Sequence, residues 1–247
     1  MDLALASVLG LVVGIVTGAV GAGGSILTIP ALMYLLGQSP RAAAIGSLII
    51  VGVSSIVGVV QHDRGGRVRW KDGLTFSAIG AITAVVGAQA AGLVSDWAAT
   101  VSFAVLLLLA SAALVNTAGV EADRRRPGWM VIAVAALAGL LTGFFGVGGG
   151  FVVVPALILV LGFSAADAVG TSLLVIALNS FVALVFRLGH TDGVDWPVIV
   201  AFGLTASIGG AFGSRITARL DPKVLTNCLA VVLTVIASAM LVEQAIT

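Results

Sequence analysis

Thr17-Gly18-Ala19-Val20-Gly21-Ala22-Gly23-Gly24-Ser25, followed by Ile26-Leu27-Thr28-Ile29-Pro30-Ala31-Leu32, returns 125 residues later as Thr142-Gly143-Phe144-Phe145-Gly146-Val147-Gly148-Gly149-Gly150, followed by Phe151-Val152-Val153-Val154-Pro155-Ala156-Leu157. Extended to Leu48 and Leu173, the gapless match holds 14 identities in 32 positions, among them Gly37 on Gly162 and Ser47 on Ser172. With one residue inserted, Trp70 then falls on Trp196 and Gly87 on Gly213. Apolar runs resemble one another by chance, but chance does not keep glycine and proline in step. The chain therefore reads as two related halves, residues 1–118 and 129–247, joined by a polar linker, 119–128, that carries Arg124-Arg125-Arg126-Pro127.

The composition decides the solvent of these halves. Of the 247 residues 60% are hydrophobic and only 9% charged, where a soluble domain carries about 25% charged residues. Thirty-two glycines would weaken a soluble helical protein, whereas in lipid small residues let helices approach closely. Net charge is +1 and the basic residues sit in short loops, so no patch exists for nucleic acid. Cys228, the single cysteine, forms no internal disulfide and no thiolate metal site. The first apolar run lacks a basic leader and a cleavage site, and reads as mature structure.

Ten apolar segments follow: Leu3 to Val20, Ile26 to Leu36, Ala42 to Val60, Gly73 to Val94, Ala98 to Ala118, Met130 to Phe145, Phe151 to Leu161, Ala166 to Phe186, Val198 to Ser214 and Val224 to Val242. Crossing ~30 Å of hydrocarbon takes about 20 helical residues. The runs from Ile26 and Phe151 have about 11 each, enough for roughly half the membrane. They occupy equivalent places in the repeat, which predicts an all-α polytopic membrane protein in which each half is a Gly-tipped broken or re-entrant helical hairpin followed by three transmembrane helices. Hairpins are preferred because a full crossing with a half-length return strands Gln38, Pro40 and Arg41 in hydrocarbon. Trp70, Trp97, Trp129 and Trp196 stand at segment starts, as interfacial anchors do.

Positive charge sets the orientation. Arg64, Arg67, Arg69 and Lys71 follow the third segment, and three arginines fill the linker, so both loops are placed in the cytoplasm. In the second half the basic loop, with Arg215, Arg219 and Lys223, comes one connection later. That shift predicts halves of inverted topology in a bacterial-type cytoplasmic membrane, with both termini outside.

Gly21, Gly23, Gly24 and Ser25, and their counterparts Gly146, Gly148, Gly149 and Gly150, lie at hairpin tips that lead into short helices. Unpaired backbone N–H groups and the positive end of a helix dipole meet there, and glycine lets the backbone itself touch a ligand. Two such tips facing one another at mid-membrane favour an anion, although tight turns alone explain a single Gly-rich tip. Ser47, Thr171, Ser172 and Asn179 add neutral donors nearby; such hydroxyls often bond their own helix instead. Pro30 and Pro155 each free a carbonyl inside a short helix. Gly10, Gly14 and Gly18, echoed by Ala135, Gly139 and Gly143, read as a packing stripe. Asp72, Asp167, Arg41, Arg187 and Arg215 fall near segment ends, at the interfaces. No carboxylate sits mid-span, and no Ser-His-Asp, HExxH, phosphate-loop or Cys-His pattern is available for an enzyme or a metal site.

These tips, the Pro-Ala-Leu after each, and the later Gly-Ser-Leu and Thr-Ser-Leu resemble the duplicated signature of the sulfite exporter TauE/SafE family, also described as 4-toluenesulfonate uptake permeases. The resemblance covers nearly the whole chain. It implies a transporter of sulfur-containing anions such as sulfite or sulfonates, in either direction depending on the member; no cofactor is expected. Ser25 stands where its twin is Gly150, so the two tips need not bind alike. A cation or metal permease, a non-transporting accessory subunit and an intramembrane enzyme are the competing classes. Exposed small-residue stripes leave room for a homodimer.

Overall fold

A computed structural model describes residues 3–20, 25–117, 127–146, 150–187, 189, 193–217 and 222–246. Among these the chain is helical throughout: α1 (Leu3–Val20), α2 (Ser25–Pro30), α3 (Pro40–Asp63), α4 (Trp70–Ala91), α5 (Asp96–Thr117), α6 (Gly128–Phe145), α7 (Gly150–Leu161), α8 (Ala165–Arg187), α9 (Trp196–Thr217) and α10 (Pro222–Ile246). Five are long and apolar enough to cross a membrane: Pro40–Asp63, Trp70–Ala91, Gly128–Phe145, Ala166–Arg187 and Trp196–Gly213.

The expectation of two half-length helices holds. α7 has 12 residues. α2 has 6 and passes into a five-residue π-helical turn, Ala31–Leu35. The widening begins immediately after Pro30, which has no N–H to offer an α-helical ladder, and Leu36 N–H donates five residues back to the Ala31 carbonyl at 3.2 Å. Pro155, its repeat partner, lies inside α7 without interrupting it.

Local geometry repeats where the sequence does. Gly37 and Gly162 both take left-handed backbone, φ 59° and 68°, and end their short helices. The next residues close the same six-residue loop, Gln38 N–H to the Leu32 carbonyl at 2.9 Å and Phe163 N–H to the Leu157 carbonyl at 3.2 Å. Ser39 and Ser164 then cap the following helix, accepting from Ala42 N–H at 3.3 Å and Asp167 N–H at 3.1 Å. Two of the fourteen identities, Gly37 on Gly162 and Ser39 on Ser164, are thus accounted for by one turn used twice.

The glycine stripes find their partners in the opposite half. A Cβ at Gly10, Gly14 or Gly18 would fall on the backbone of Phe202, Ala206 or Gly210 of α9, and one at Gly139 or Gly143 on that of Gly80 or Ala84 of α4. α1 therefore lies against α9 and α6 against α4, parallel and in backbone contact, so each half clasps the other. At the centre α3 and α8 cross antiparallel: Gly58 is beside Leu173 and Gly52 beside Ser180. The four tryptophans all start helices and are exposed, between 44% and 66%.

Two details differ from the sequence reading. α6 begins at Gly128, two residues before the expected segment, and has 18 residues, a reach of about 27 Å. Arg187, expected to reach out to the interface, turns inward instead. Its Nη2 donates to the carbonyls of Gly143 at 2.5 Å and Phe144 at 2.7 Å, at the end of α6. The last carbonyls of a helix lack intrahelical donors, and a guanidinium supplies them.

Candidate functional site

Of the Gly-rich tips, Gly21, Gly23, Gly24, Gly148 and Gly149 lie outside the described residues, as does the side chain of Ser25. Ser25 begins α2 and Gly150 begins α7, as expected for short helices that open at the tips. Gly146 closes α6 in left-handed backbone, φ 73°, with its N–H on the Thr142 carbonyl at 2.9 Å. A Cβ there would meet the Ala44 backbone at 2.7 Å, so this end of α6 rests on the first turns of α3. The end of α1 lies elsewhere: Gly18 lines a cavity together with Gly58 and His62, near the last turns of α3. Ala44 and Gly58 are about 21 Å apart along that helix. The helices that lead into the two tips therefore end at opposite ends of the bundle. The expectation that the tips share one depth at mid-membrane falls on residues outside those described; segment lengths do not reveal how far α1 and α6 slide along α9 and α4.

Between these ends runs a polar seam on α3 and α8. The repeat places Ser47, Ser54 and Ser55 of α3 on Ser172, Asn179 and Ser180 of α8. Ser47, Ser55, Ser172, Asn179 and Ser180 are all buried. Two of the expected donors are already engaged: Ser172 Oγ donates to the Val169 carbonyl of its own helix at 2.8 Å, and Thr171 Oγ1 accepts from Arg69 N–H of the other half at 3.0 Å, at the start of α4. The others are not. Ser47 Oγ, Ser180 Oγ and both amide atoms of Asn179 are buried without a hydrogen-bond partner, as is Ser77 Oγ of α4. More than about 90% of buried polar groups are paired, and leaving one unpaired costs about 1–3 kcal/mol. Such orphans occur on three helices packed together, Ser47 on α3, Ser77 on α4, and Asn179 and Ser180 on α8. Asn179 stands opposite Gly80, where the missing side chain makes room for its amide.

The cavity at the α1 end holds about 60 Å³ and is lined by Thr28, Ser54, Ser55, Gln61, His62 and Ser207 among apolar side chains. On the measure by which one water needs ~10–15 Å³, a few waters or one small oxyanion fit. It leads from the His62 end of α3 in toward Ile50 and Val51. At that end the loop before α4 is tied to the other half, with Arg69 Nη2 3.0 Å from Asp167 Oδ2. Sequence reasoning missed Ser77 and Gly80; Gly80 is legible only as a glycine inside an apolar helix.

Apolar helices that pack through glycine, around a seam of buried neutral donors, define a multi-pass integral membrane protein of the transporter class. The chain belongs to the sulfite exporter TauE/SafE family, whose model matches residues 6–240. It is 33% identical over 218 residues to a probable membrane transporter protein of Xylella fastidiosa strain Temecula1, covering 85% of this chain and 82% of the relative. It is 28% identical over 275 residues to the probable membrane transporter protein YunE of Bacillus subtilis, covering 98% of each. No solved structure matches the chain.

Proposed function

We propose that the chain is a secondary transporter of small sulfur-containing anions such as sulfite or organosulfonates, and that the anion passes along the buried polar groups of α8 and of the two helices packed on it, α3 and α4. The observation that carries this reading is the buried, unpaired amide of Asn179 against Gly80 of α4, with further unpaired hydroxyls at Ser180 on the same helix, Ser77 on α4 and Ser47 on α3. Neutral donors replace part of an anion's water without holding it as a fixed cation would, so the anion can also leave. The Gly-rich tips, which follow α1 and α6 in the chain, supply backbone N–H groups in turn as access alternates.

The halves have inverted topology in this reading. Repeat-equivalent α3 and α8 run antiparallel in contact, and the basic loops fall one connection apart. The loop from Arg64 to Lys71 then faces the cytoplasm and both termini face outward.

The test is flux of labelled sulfite and of propane-1-sulfonate into proteoliposomes by wild type and Asn179→Asp. The substitution keeps the shape and places a carboxylate against the anion, so flux should fall at least a hundredfold. Unchanged flux rules the seam out. Movement of divalent cations, enhanced by the same substitution, would make the protein a cation permease; no flux of any solute by wild type would make it an accessory subunit.

A further inference from the structure

The end of the bundle that holds Gly146 contains a second cavity, also of about 60 Å³, lined by Arg41, Asp96, Phe103, Phe145 and Arg187 among others. We propose that it binds a small organic anion, a sulfonate or carboxylate bearing a short apolar group, between Arg41 and Arg187, as a station at the mouth of the seam. Its place in transport rests on the reading above; its binding does not.

Charge and geometry carry the proposal. Two guanidinium groups and one carboxylate line the cavity, and that carboxylate is weakly engaged: Arg41 Nε is 3.8 Å from Asp96 Oδ1, with both side chains more than half exposed. Such a pair contributes little and yields readily to another anion. Arg187 is held by Nη2 on two carbonyls, which carry no net charge, and its Nε is buried with no acceptor. A guanidinium presents several donors in a plane, a match for an oxyanion. The first cavity, lined by serines, Gln61 and His62, has neither arginine nor lysine in its wall.

The rest of the wall selects the ligand's other end. The rings of Phe103 and Phe145 lie 5.5 Å apart and those of Phe144 and Phe145 4.8 Å, and Ile29, Met33 and Met240 complete an apolar lining. A fully hydrated inorganic dianion loses water against these groups and gains nothing, whereas a short alkyl or aryl group is buried. A phospholipid phosphate is the other source of an oxyanion flanked by apolar atoms, and the test separates the two.

The full chain, with Trp70, Trp129 and Trp196 changed to Phe, is placed in phosphatidylcholine nanodiscs and titrated with propane-1-sulfonate and with sulfate. The readout is Trp97 fluorescence, next to Asp96. Saturable quenching by propane-1-sulfonate, weakened at least tenfold in Arg41→Gln and in Arg187→Lys, and at least tenfold weaker for sulfate, supports the site. Arg41→Gln leaves the α6 carbonyls untouched, so the result stands if the Arg187 variant does not fold. No saturable response of the parent chain, or an affinity within twofold in Arg41→Gln, overturns it. So does equal affinity for sulfate, or a response to phosphatidylglycerol alone. Binding without wild-type flux would keep the site and remove the transport reading; flux with unchanged binding in Arg41→Gln would do the reverse.

Discussion

Gly80 of α4 and Asn179 of α8 face each other so closely that a Cβ at position 80 would stand 2.6 Å from Asn179 Nδ2 and 3.2 Å from Oδ1. The glycine is the room in which the amide sits, and the amide has no partner in that room. Packing and chemistry are tied at this one contact.

Gly80→Ala should therefore act through Asn179. We expect a loss of about 1–3 kcal/mol from overpacking and a fall in anion flux of at least tenfold. In an Asn179→Ala background the same change should be close to neutral, giving a coupling of about 1–3 kcal/mol in a double-mutant cycle on thermal unfolding. Additive losses would separate the two residues.

Asn179→Leu should make the empty protein more stable and inactive. Leucine has the same number of side-chain heavy atoms as asparagine and leaves no polar atom unpaired, so unfolding in detergent should require about 1–3 kcal/mol more. Flux should vanish. A less stable, active variant would mean that the amide is satisfied and plays no part in passage.

The glycines should divide by what a side chain meets. Gly14→Val drives atoms into the Ala206 backbone and should abolish folded protein by parting α1 from α9. Gly66→Ala meets nothing within 4 Å, and its φ of 65° is the whole penalty, about 1–2 kcal/mol. Its membrane yield and flux should stay near wild type, as read by detergent gel filtration and uptake.

Gly24→Leu with Gly149→Leu should abolish flux without preventing membrane insertion, because the substitutions fill the tips and leave the packing stripes intact. Uptake assays beside quantified membrane protein test this. Normal uptake in the double variant would take the tips out of the pathway.

Much of this was legible beforehand. The repeat foretold two short helices, and Gly37, Gly162, Ser39 and Ser164 turned out to build the same turn twice. Composition and length suffice for that, since a glycine between apolar runs and a serine before a helix act locally. Depth was not legible: α1 and α6 are placed by how Gly14 meets Ala206 and Gly143 meets Ala84, and sequence does not carry the register between helices distant in the chain. Nor was it visible which hydroxyls stay unpaired. Ser172 turns to its own helix while Ser47, its repeat partner, does not, a difference set by neighbours. The inward turn of Arg187 depends likewise on the end of α6 arriving beside it.

The seam is tested most directly by cysteine substitution at Ser55 and Ser180, its repeat-equivalent positions, in a chain with Cys228→Ser. A small sulfonate-bearing thiol reagent is added from one face and then the other, with and without sulfite. The account predicts that both cysteines react, that each is reached faster from the face opposite to the other, and that sulfite slows both. Two cysteines that stay unreactive in a protein with full flux, or that react from the same face at the same rate, would contradict it.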